Sequence, residues 1–546
     1  MLRLSQIKLP LDHAPEAIQA AVISKLKIVA SELKSYVIFK RSYDARDKKN
    51  IRLIYIVDVH TTRDSQHLHR LKKDSTVTLA PDLTYKNVAK APEDCTVRPI
   101  VIGTGPCGML TGLMLARMGF RPILLERGKS VRDRTADTFG FWKKRMPFNP
   151  ESNAQFGEGG AGTFSDGKLY SQVSDPQHYG RKVINEFVNA GANPEIRYIN
   201  KPHIGTFKLV GVVEKIRATI ESLGGEIRFQ SRVVDIDIQD HQVQGVVLDT
   251  GEYIKGQHVV VAVGHSSRDT FEMLHDRGVY IEPKPFSIGF RVEHPQTMID
   301  RVRWGENAGN KALGAADYKL VHHCSNGRSV YSFCMCPGGL VVAAASEPGR
   351  LVTNGMSQYS RNERNANSAI VVGITPEDYP GHPLAGIEFQ RTLEERAFQL
   401  GGGTYEAPGQ LVGDFIANRP STELGSVQPS YQPGVRLGDL NTSLPSYAID
   451  AIREALTAFA QQIEGFDMND AILTGVETRT SSPIRISRNE DGQSLNTQGL
   501  YPAGEGAGYA GGILSAGIDG VKIAEAVALN ILKSKDTHDR SDSIAS

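Results

Sequence analysis

The chain has 546 residues, 40% of them hydrophobic, which is too long for one ordinary domain and enough for sizeable cores. A formal net charge of +1 argues against a protein built throughout for nucleic acid, and five cysteines, few and odd in number, argue against a disulfide framework. No apolar run approaches the ~18 residues that a membrane span needs, and the N-terminus has no apolar signal core, so a cytoplasmic protein with no membrane partner is expected.

Residues 1–95 carry 17 Lys and Arg against 11 Asp and Glu, a net of +6, which leaves the rest of the chain at −5. This segment reads as a small α+β domain. The apolar-periodic stretch from Ala14 to Leu33 predicts a helix, and 35–42 and 51–60 predict strands. The turn between those strands, RSYDARDKKN, is basic. It is either a solvated face or a contact for an anionic partner such as RNA. After a polar linker the texture changes at Val97. RPIVIG predicts a short strand, a glycine-rich turn and a helix follow, and PILLE (122–126) predicts a second strand. The loop 151–170 is rich in glycine. Residues 211–225 predict an amphipathic helix with a glycine stop. A strand and a meander follow, then the buried strand HVVVAVG (258–264). Residues 282–470 are mixed strands and turns. Residues 497–531 return to strand, glycine loop and long helix, and 535–546 are polar and expected to be disordered.

The strongest local signal is VIGTGPCGMLTGLMLARMGFRPILLERG (101–128). Gly103, Gly105 and Gly108 form G-x-G-x-x-G between a strand and a helix, and Glu126 closes the second strand. Gly103 allows the tight turn, Gly105 lets backbone approach a pyrophosphate, and Gly108 lets the helix lie close on the sheet. The pyrophosphate would sit at the helix N-terminus, where free N–H groups and the dipole favour negative charge. Glu126 would accept from ribose hydroxyls and repel a 2′-phosphate.

Three further segments resemble FAD-binding signatures. NTQGLYPAGEGAGYAGGILSAGIDGVKIAEAV (496–527) is similar to the second signature of two-dinucleotide-fold flavoproteins. VVVAVG (259–264) resembles the strand ending in Ala-x-Gly of the same proteins, and FGEGGAGTFSDGKL (156–169) resembles their flavin-contacting loop. Their order and spacing resemble the glutathione-reductase-type FAD superfamily. SFCMCPGG (332–339), VTNGMS (352–357) and TRTSSP (478–483) bring the chain closer to a family of bacterial FAD-dependent proteins, loosely described as NAD(FAD)-utilising dehydrogenases.

The resemblance implies an α/β fold class. A Rossmann-like FAD-binding domain (96–281 and 471–534) would carry an inserted α+β substrate-type domain (282–470) and a small N-terminal α+β domain (1–95). It implies cofactor contacts from Gly103, Gly105, Pro106 and Gly108, and from Glu126 and Arg127. Further contacts would come from Gly159, Gly160, Ala161, Gly162, Thr163 and Phe164, from Val234, and from Ala262 and Gly264. The last set is Gly504, Glu505, Gly511, Gly512 and Ile513.

Cys334 and Cys336 are the sharpest chemical candidates. They are either a redox dithiol or two unbonded thiols in a domain wall. A two-residue turn at Asn326-Gly327 would put Cys334 opposite Lys319 and Cys336 opposite Asp317, with both cysteines on one face. On an extended strand, residues i and i+2 lie about 6.5–7 Å apart, at the limit for a disulfide, so a bond needs a bend, for which Pro337-Gly338-Gly339 is the candidate. The same register separates Cys324 from the pair, so His322, His323 and the three cysteines are not expected to share a metal. Cys107, at the start of the fingerprint helix, is a small residue beside the cofactor or a thiol with a lowered pKa. Arg479 and Arg485 either hold an anion or the flavin edge, or form structural ion pairs. His265 is a loop residue or an acid catalyst.

The expected function is an FAD-dependent oxidoreductase moving electrons or hydride between a donor and a small-molecule substrate at flavin N5, with Cys334, Cys336 and Arg479 as catalytic candidates. The donor would be NAD(P)H bound transiently, since only one complete fingerprint is present, or a donor protein. The alternatives are a flavin-dependent RNA-modifying or RNA-binding protein, and a flavin-bound scaffold without catalysis.

Overall fold

The computed structural model describes residues 1–171 and 173–545, with side chains through residue 534. The tail 535–546, expected to be disordered, lies outside the residues whose side chains are described; the backbone of the C-terminal helix is assigned as Ile513–Ala545.

The first 80 residues build a four-stranded antiparallel sheet in the order Leu33–Asp44, Arg52–Thr61, Leu2–Pro10, Val77–Leu79. The alternating pattern of Arg52–Thr61 puts Leu53, Tyr55, Val57 and Val59 on one face, where they meet Ile18, Val22 and Leu26 of the helix Glu16–Leu26. That helix is shorter than the periodicity suggested. Lys27 takes φ 50° and ends it in a left-handed cap.

A parallel five-stranded sheet runs in the order Leu500–Pro502, Val259–Val261, Ile100–Ile102, Ile123–Leu125, Glu226–Arg228. Each central strand is a short, wholly buried apolar run, as a sheet covered on both faces requires. The helix Pro106–Arg117 packs on it against the C-terminal helix. They cross so closely that a Cβ on Gly520 would lie 2.4 Å from the Cys107 carbonyl oxygen, and Thr111 Oγ1 donates to the Gly520 carbonyl at 3.1 Å.

The third unit is an eight-stranded sheet in the order Val321–His323, Ser329–Ala343, Asn365–Ile374, Phe286–Pro295, Ile472–Glu477, Ala407–Leu411, Val435–Leu437, with Thr353–Ser357 paired to Ser329–Ala343. Its pairings are antiparallel except the last, Ala407–Leu411 with Val435–Leu437. The helix Ser446–Ala460 buries Ile449, Ile452, Leu456 and Phe459 within the same core as Ile288, Phe290, Ile370 and Val372 of the central strands. The protein is therefore a mixed α/β structure with parallel and antiparallel sheets.

The hairpin leading to the cysteine pair differs from the expected one. Cys324 N–H donates to Arg328 O at 2.8 Å and Gly327 N–H to Cys324 O at 3.0 Å, so Ser325, Asn326 and Gly327 form a three-residue loop, with Gly327 at φ 79°. His323 then pairs with Ser329 and Val321 with Tyr331. The register slips by one residue from the expected one. Cys334 is not opposite Lys319, nor Cys336 opposite Asp317: the slipped register carries on to Leu320 and Ser332, whose N–H donates to Leu320 O at 3.0 Å, and the strand is irregular beyond Phe333.

Candidate functional site

The C-terminal ends of the parallel strands and residues from several strands of the large sheet surround a cavity of about 860 Å³. Open α/β sheets bind ligands at that end of their strands, and the size falls in the range of small-molecule and cofactor sites. The first turn contributes Gly103, Thr104, Gly105 and Pro106, and the second strand end contributes Leu125, Glu126 and Arg127. Gly160, Ala161 and Gly162 come from the glycine loop, and Ala262 and Gly264 from the Val259–Val261 strand end. Glu505, Gly511, Gly512 and Ile513 close that half. The opposite wall holds Ser332, Phe333, Cys334, Asn354, Glu477 and Arg479. Segments far apart in the chain thus meet round one space.

Seven of the expected site residues stand behind or outside this wall. A Cβ on Gly108 would lie 1.9 Å from the Gly103 carbonyl oxygen, so its smallness serves the turn-to-helix packing. Gly504 packs on the Cys107 side chain at 2.9 Å by the same measure. Gly159 faces Thr163 Oγ1, and Thr163 itself is buried. Phe164 packs edge-on against Trp142 at 5.7 Å. Val234 is 39% exposed on the meander, and its neighbour Val233 lines the cavity instead. Cys336 is fully buried behind Cys334.

The glycines that do line the cavity divide in two. Gly103 sits at φ 95°, and a Cβ there would lie 2.5 Å from Ala262 O, so the protein itself demands glycine. Gly105, Gly511 and Gly512 have no positive φ, and no protein atom lies nearer than 3.8 Å to a Cβ built on any of them. Nothing in the chain requires their smallness; a ligand pressed against the backbone would. Gly105 precedes the helix Pro106–Arg117 and Gly512 precedes the C-terminal helix, so two helix N-termini, with their free N–H groups, open onto the same cavity.

Acidic and basic groups are fixed around this cradle. Glu126 accepts from Thr104 N (3.0 Å), Thr104 Oγ1 (2.7 Å), Gly128 N (2.9 Å) and Gly157 N (3.1 Å), tying the first turn to the glycine loop. A ribose would have to share those oxygens. Arg127 pairs with Glu151 and Asp269, both at 2.8 Å. Burial pushes the Glu505 carboxyl up to about 7 against the pull of Lys284. Burial also draws His265 down to about 3, with Arg479 and Arg268 adding to it, so its imidazole is neutral at ordinary pH. Its Nε2 stands 3.9 Å from Glu505 Oε1.

Arg134, which the sequence did not single out, holds the glycine loop. Its guanidinium is fully buried and donates to the carbonyls of Asn153, Ala154, Gly157, Glu158 and Gly160. Arg134→Met should leave those carbonyls without partners, and hydrogen exchange at the backbone amides of 153–160 should accelerate while exchange in the N-terminal sheet is unchanged.

Arg479 forms a buried ion pair and also lines the cavity. It donates to Glu394 at 3.0 and 2.8 Å and to Ser266 Oγ at 3.0 Å. Arg485 is exposed in the Ile484–Ile486 strand and leans on Tyr509. Cys107 is buried beneath the turn, and burial pushes its thiol well up rather than down.

The cysteine pair lies at a bulge. Phe333 pairs with Ala369 and Cys336 with Asn367, so three steps on one strand match two on the other. Cys334 takes φ 44°, a left-handed conformation unusual for this residue type. The register shifts twice, between Phe333 and Cys336, where Cys334 carries the positive φ, and again between Cys336 and Gly339, where Gly338 takes φ 42°, so the strand is irregular at Cys334 as well as at the expected Pro337-Gly338-Gly339. Lys168 Nζ donates to the Met335 carbonyl, and Arg291 donates to Cys334 O at 2.9 Å and to Glu477. Neither cation was legible as a partner of the cysteines, although Lys168 stood inside a quoted motif as the one charged residue after its glycines.

The five residues considered for a metal do not converge. Cys324 instead joins His322 and Glu454, whose donor atoms lie within 4.8 Å of one another. Glu454 already accepts from His322 Nε2 at 2.8 Å, Ser325 N and Ser325 Oγ, which fastens the hairpin loop to the helix Ser446–Ala460.

Fold and cavity together define a mixed α/β protein with a large cavity between a parallel and an antiparallel sheet. Residues 285–480 match the family model described as FAD-dependent protein, C-terminal domain-like, and residues 1–60 match a domain of unknown function. The chain is 46% identical over 526 residues to a protein of Clostridium beijerinckii described as uncharacterized, spanning 96% of this chain and 98% of that one, and it belongs to the same family. Among solved structures it is similar to the tetracycline destructase Tet(51), with a TM-score of 0.35 and 12% identity over 81% of this chain and 83% of that one. It is also similar to CtdE in complex with FAD, with a TM-score of 0.31 and 12% identity over 80% and 84%. Likenesses this distant fix neither substrate nor reaction.

Proposed function

We propose that this protein is an FAD-dependent oxidoreductase whose substrate enters the cavity from the side of the large sheet. One observation carries the reading: Gly105, Gly511 and Gly512 line the cavity at two helix starts with no protein atom to require their smallness. The match of 285–480 to an FAD-dependent family supports it.

The residues fit the cofactor. The backbone N–H groups of Gly105 and Cys107, on either side of Pro106, would hold the pyrophosphate, Glu126 the adenosine ribose, Glu505 the ribityl hydroxyls, and the amides at Gly512–Ile513 the pyrimidine edge. When bound, FAD supplies two-electron redox chemistry. The chain itself orients and screens. Arg134 fixes the loop over the cofactor. Glu505, whose carboxyl is pushed up by burial to about 7, can both hold and release a proton near that pH. Cys334 and Glu477 form the wall that a substrate would meet.

The test is a visible spectrum of the purified protein, followed by anaerobic titration with NADH and then NADPH. An oxidised-flavin spectrum that bleaches with one nucleotide supports the reading and names the donor. A flavin that neither nucleotide reduces moves the donor to a protein or a thiol. A colourless protein that takes up no added FAD overturns the proposal.

A further inference from the structure

The Cys334-Met335-Cys336 bulge places two thiols at different depths in one wall. Cys334 lines the cavity and Cys336, two residues on, is fully buried behind it. The bulge folds the second residue back on the first: the Cys336 thiol donates to the Cys334 carbonyl at 3.3 Å. Both are free thiols. The segment is pinned from both sides, by Lys168 on the Met335 carbonyl and Arg291 on the Cys334 carbonyl.

We infer that Cys334 and Cys336 are a working dithiol, with Cys334 the attacking sulfur and Cys336 the resolving one, and that the substrate class is a low-molecular-weight disulfide admitted to the cavity. The inference deepens the oxidoreductase reading and rests on it for repeated turnover; its half-reaction stands alone. The Cys334 thiolate attacks one sulfur of R–S–S–R, the S–S bond breaks, and RS⁻ leaves and takes a proton. A mixed disulfide remains on Cys334. Cys336 then loses its proton and attacks Cys334 Sγ, and the second RS⁻ departs to be protonated. The substrate gains two electrons, the pair loses two, and the products are two RSH and a Cys334–Cys336 disulfide.

The surroundings sort the two sulfurs into these roles. The hydrogen bond from Cys336, then Lys168 and Arg291, hold the Cys334 thiol well below its ordinary range against the opposing effect of burial. Cys336, which gives that hydrogen bond and is buried, is pushed well up and keeps its proton. Tyr170, Glu477 and Glu505 line the same cavity as Cys334. Burial pushes both carboxyls up to about 7, so their charge opposes the thiolate less below that pH. An accessible thiolate attacks and a buried thiol resolves; the reverse assignment would put the nucleophile where no substrate reaches.

The experiment is peptide mapping by mass spectrometry after exposure of the full chain to 2-hydroxyethyl disulfide at pH 6, where an ordinary thiol of pKa ~8.5 is only roughly 0.3% thiolate. Wild type should release two equivalents of 2-mercaptoethanol and yield the Cys334–Cys336 disulfide with no adduct. Cys336→Ser should release one equivalent and retain the adduct on Cys334. Cys334→Ser should leave Cys336 unlabelled. Lys168→Met should slow labelling of Cys334 by about tenfold. Folded Cys336→Ser protein with unlabelled Cys334, or Cys336 labelled as fast as Cys334, overturns the inference. The visible spectrum of the same samples separates the two proposals. Labelling without flavin keeps the dithiol and removes the oxidoreductase reading. Flavin without labelling does the opposite.

Discussion

Glu394→Ala should cost the fold about 3–5 kcal/mol, the loss expected when one partner of a buried ion cluster is removed. Glu394 is fully buried on the helix Ala385–Leu400. It accepts from Arg268 at 2.7 and 2.9 Å, from Arg479 at 2.8 and 3.0 Å, and from Thr478 Oγ1 at 2.8 Å. Glu347 is the second counter-charge, at the edge of the cluster. With Glu394 gone, two buried guanidiniums share one partly exposed carboxylate. Thermal unfolding at pH 7 should fall by on the order of 10 °C. Glu394→Gln keeps the shape and loses the charge, and should fall less.

The same residue sets a pH dependence. Burial alone would raise the Glu394 carboxyl, but Arg268 and Arg479 outweigh it and hold it well below the usual carboxylate range. A depressed folded pKa adds stability above the unfolded value of 4.5, and that stability is lost as pH falls below it. Wild type should therefore lose stability between pH 5 and lower values more steeply than Glu394→Gln. Equal slopes would mean that Glu394 is not ionised in the folded protein.

What the sequence disclosed follows from how local each device is. The strand, glycine turn and helix of 101–117 lie within one short segment, so composition and spacing carry their meaning, and the turn does line the cavity. The loop at 160–162 and the helix start at 511–513 were legible for the same reason. The ion cluster was not. Arg268 and Glu394 are 126 residues apart, and Arg291 and Glu477 are 186 apart. Each sits in a segment whose own pattern gives no sign of a partner. Only the pairing of Phe286–Pro295 with Ile472–Glu477 brings Arg291 to Glu477.

The errors in the hairpin are of one kind. A strand repeats every two residues, so a single inserted residue reverses what faces where. The loop of Ser325, Asn326 and Gly327 holds one residue more than the Asn-Gly signal suggested, and the register slipped with it. The bulge at Cys334 carries no glycine or proline of its own and was missed, whereas the second irregularity, between Cys336 and Gly339, carries Pro337 and Gly338 and was legible from them. Val233 and Val234 are the same lesson in the meander: adjacent valines point to opposite sides, and alternation alone did not say which faced the cavity.

Gly105→Val should abolish flavin retention while leaving the fold intact. The residue sits at φ −67° and ψ −179°, extended backbone that valine adopts readily. A Cβ there meets only the Gly160 Cα, at 3.8 Å, so the protein has room for it. The added methyl groups would fill the place where a pyrophosphate must approach the backbone, and a loss of affinity of at least about 100-fold follows from displacing a charged group from a helix N-terminus. The variant should purify colourless, take up no added FAD, and unfold within a few degrees of flavin-free wild type. Gly103→Ala provides the contrast. There a Cβ would strike Ala262 O at 2.5 Å from a backbone at φ 95°, so the fold itself should suffer, with or without flavin. Should Gly105→Val keep its full complement of flavin, the pyrophosphate does not lie over that turn, and the open glycines at 511 and 512 would have to be explained by a different ligand.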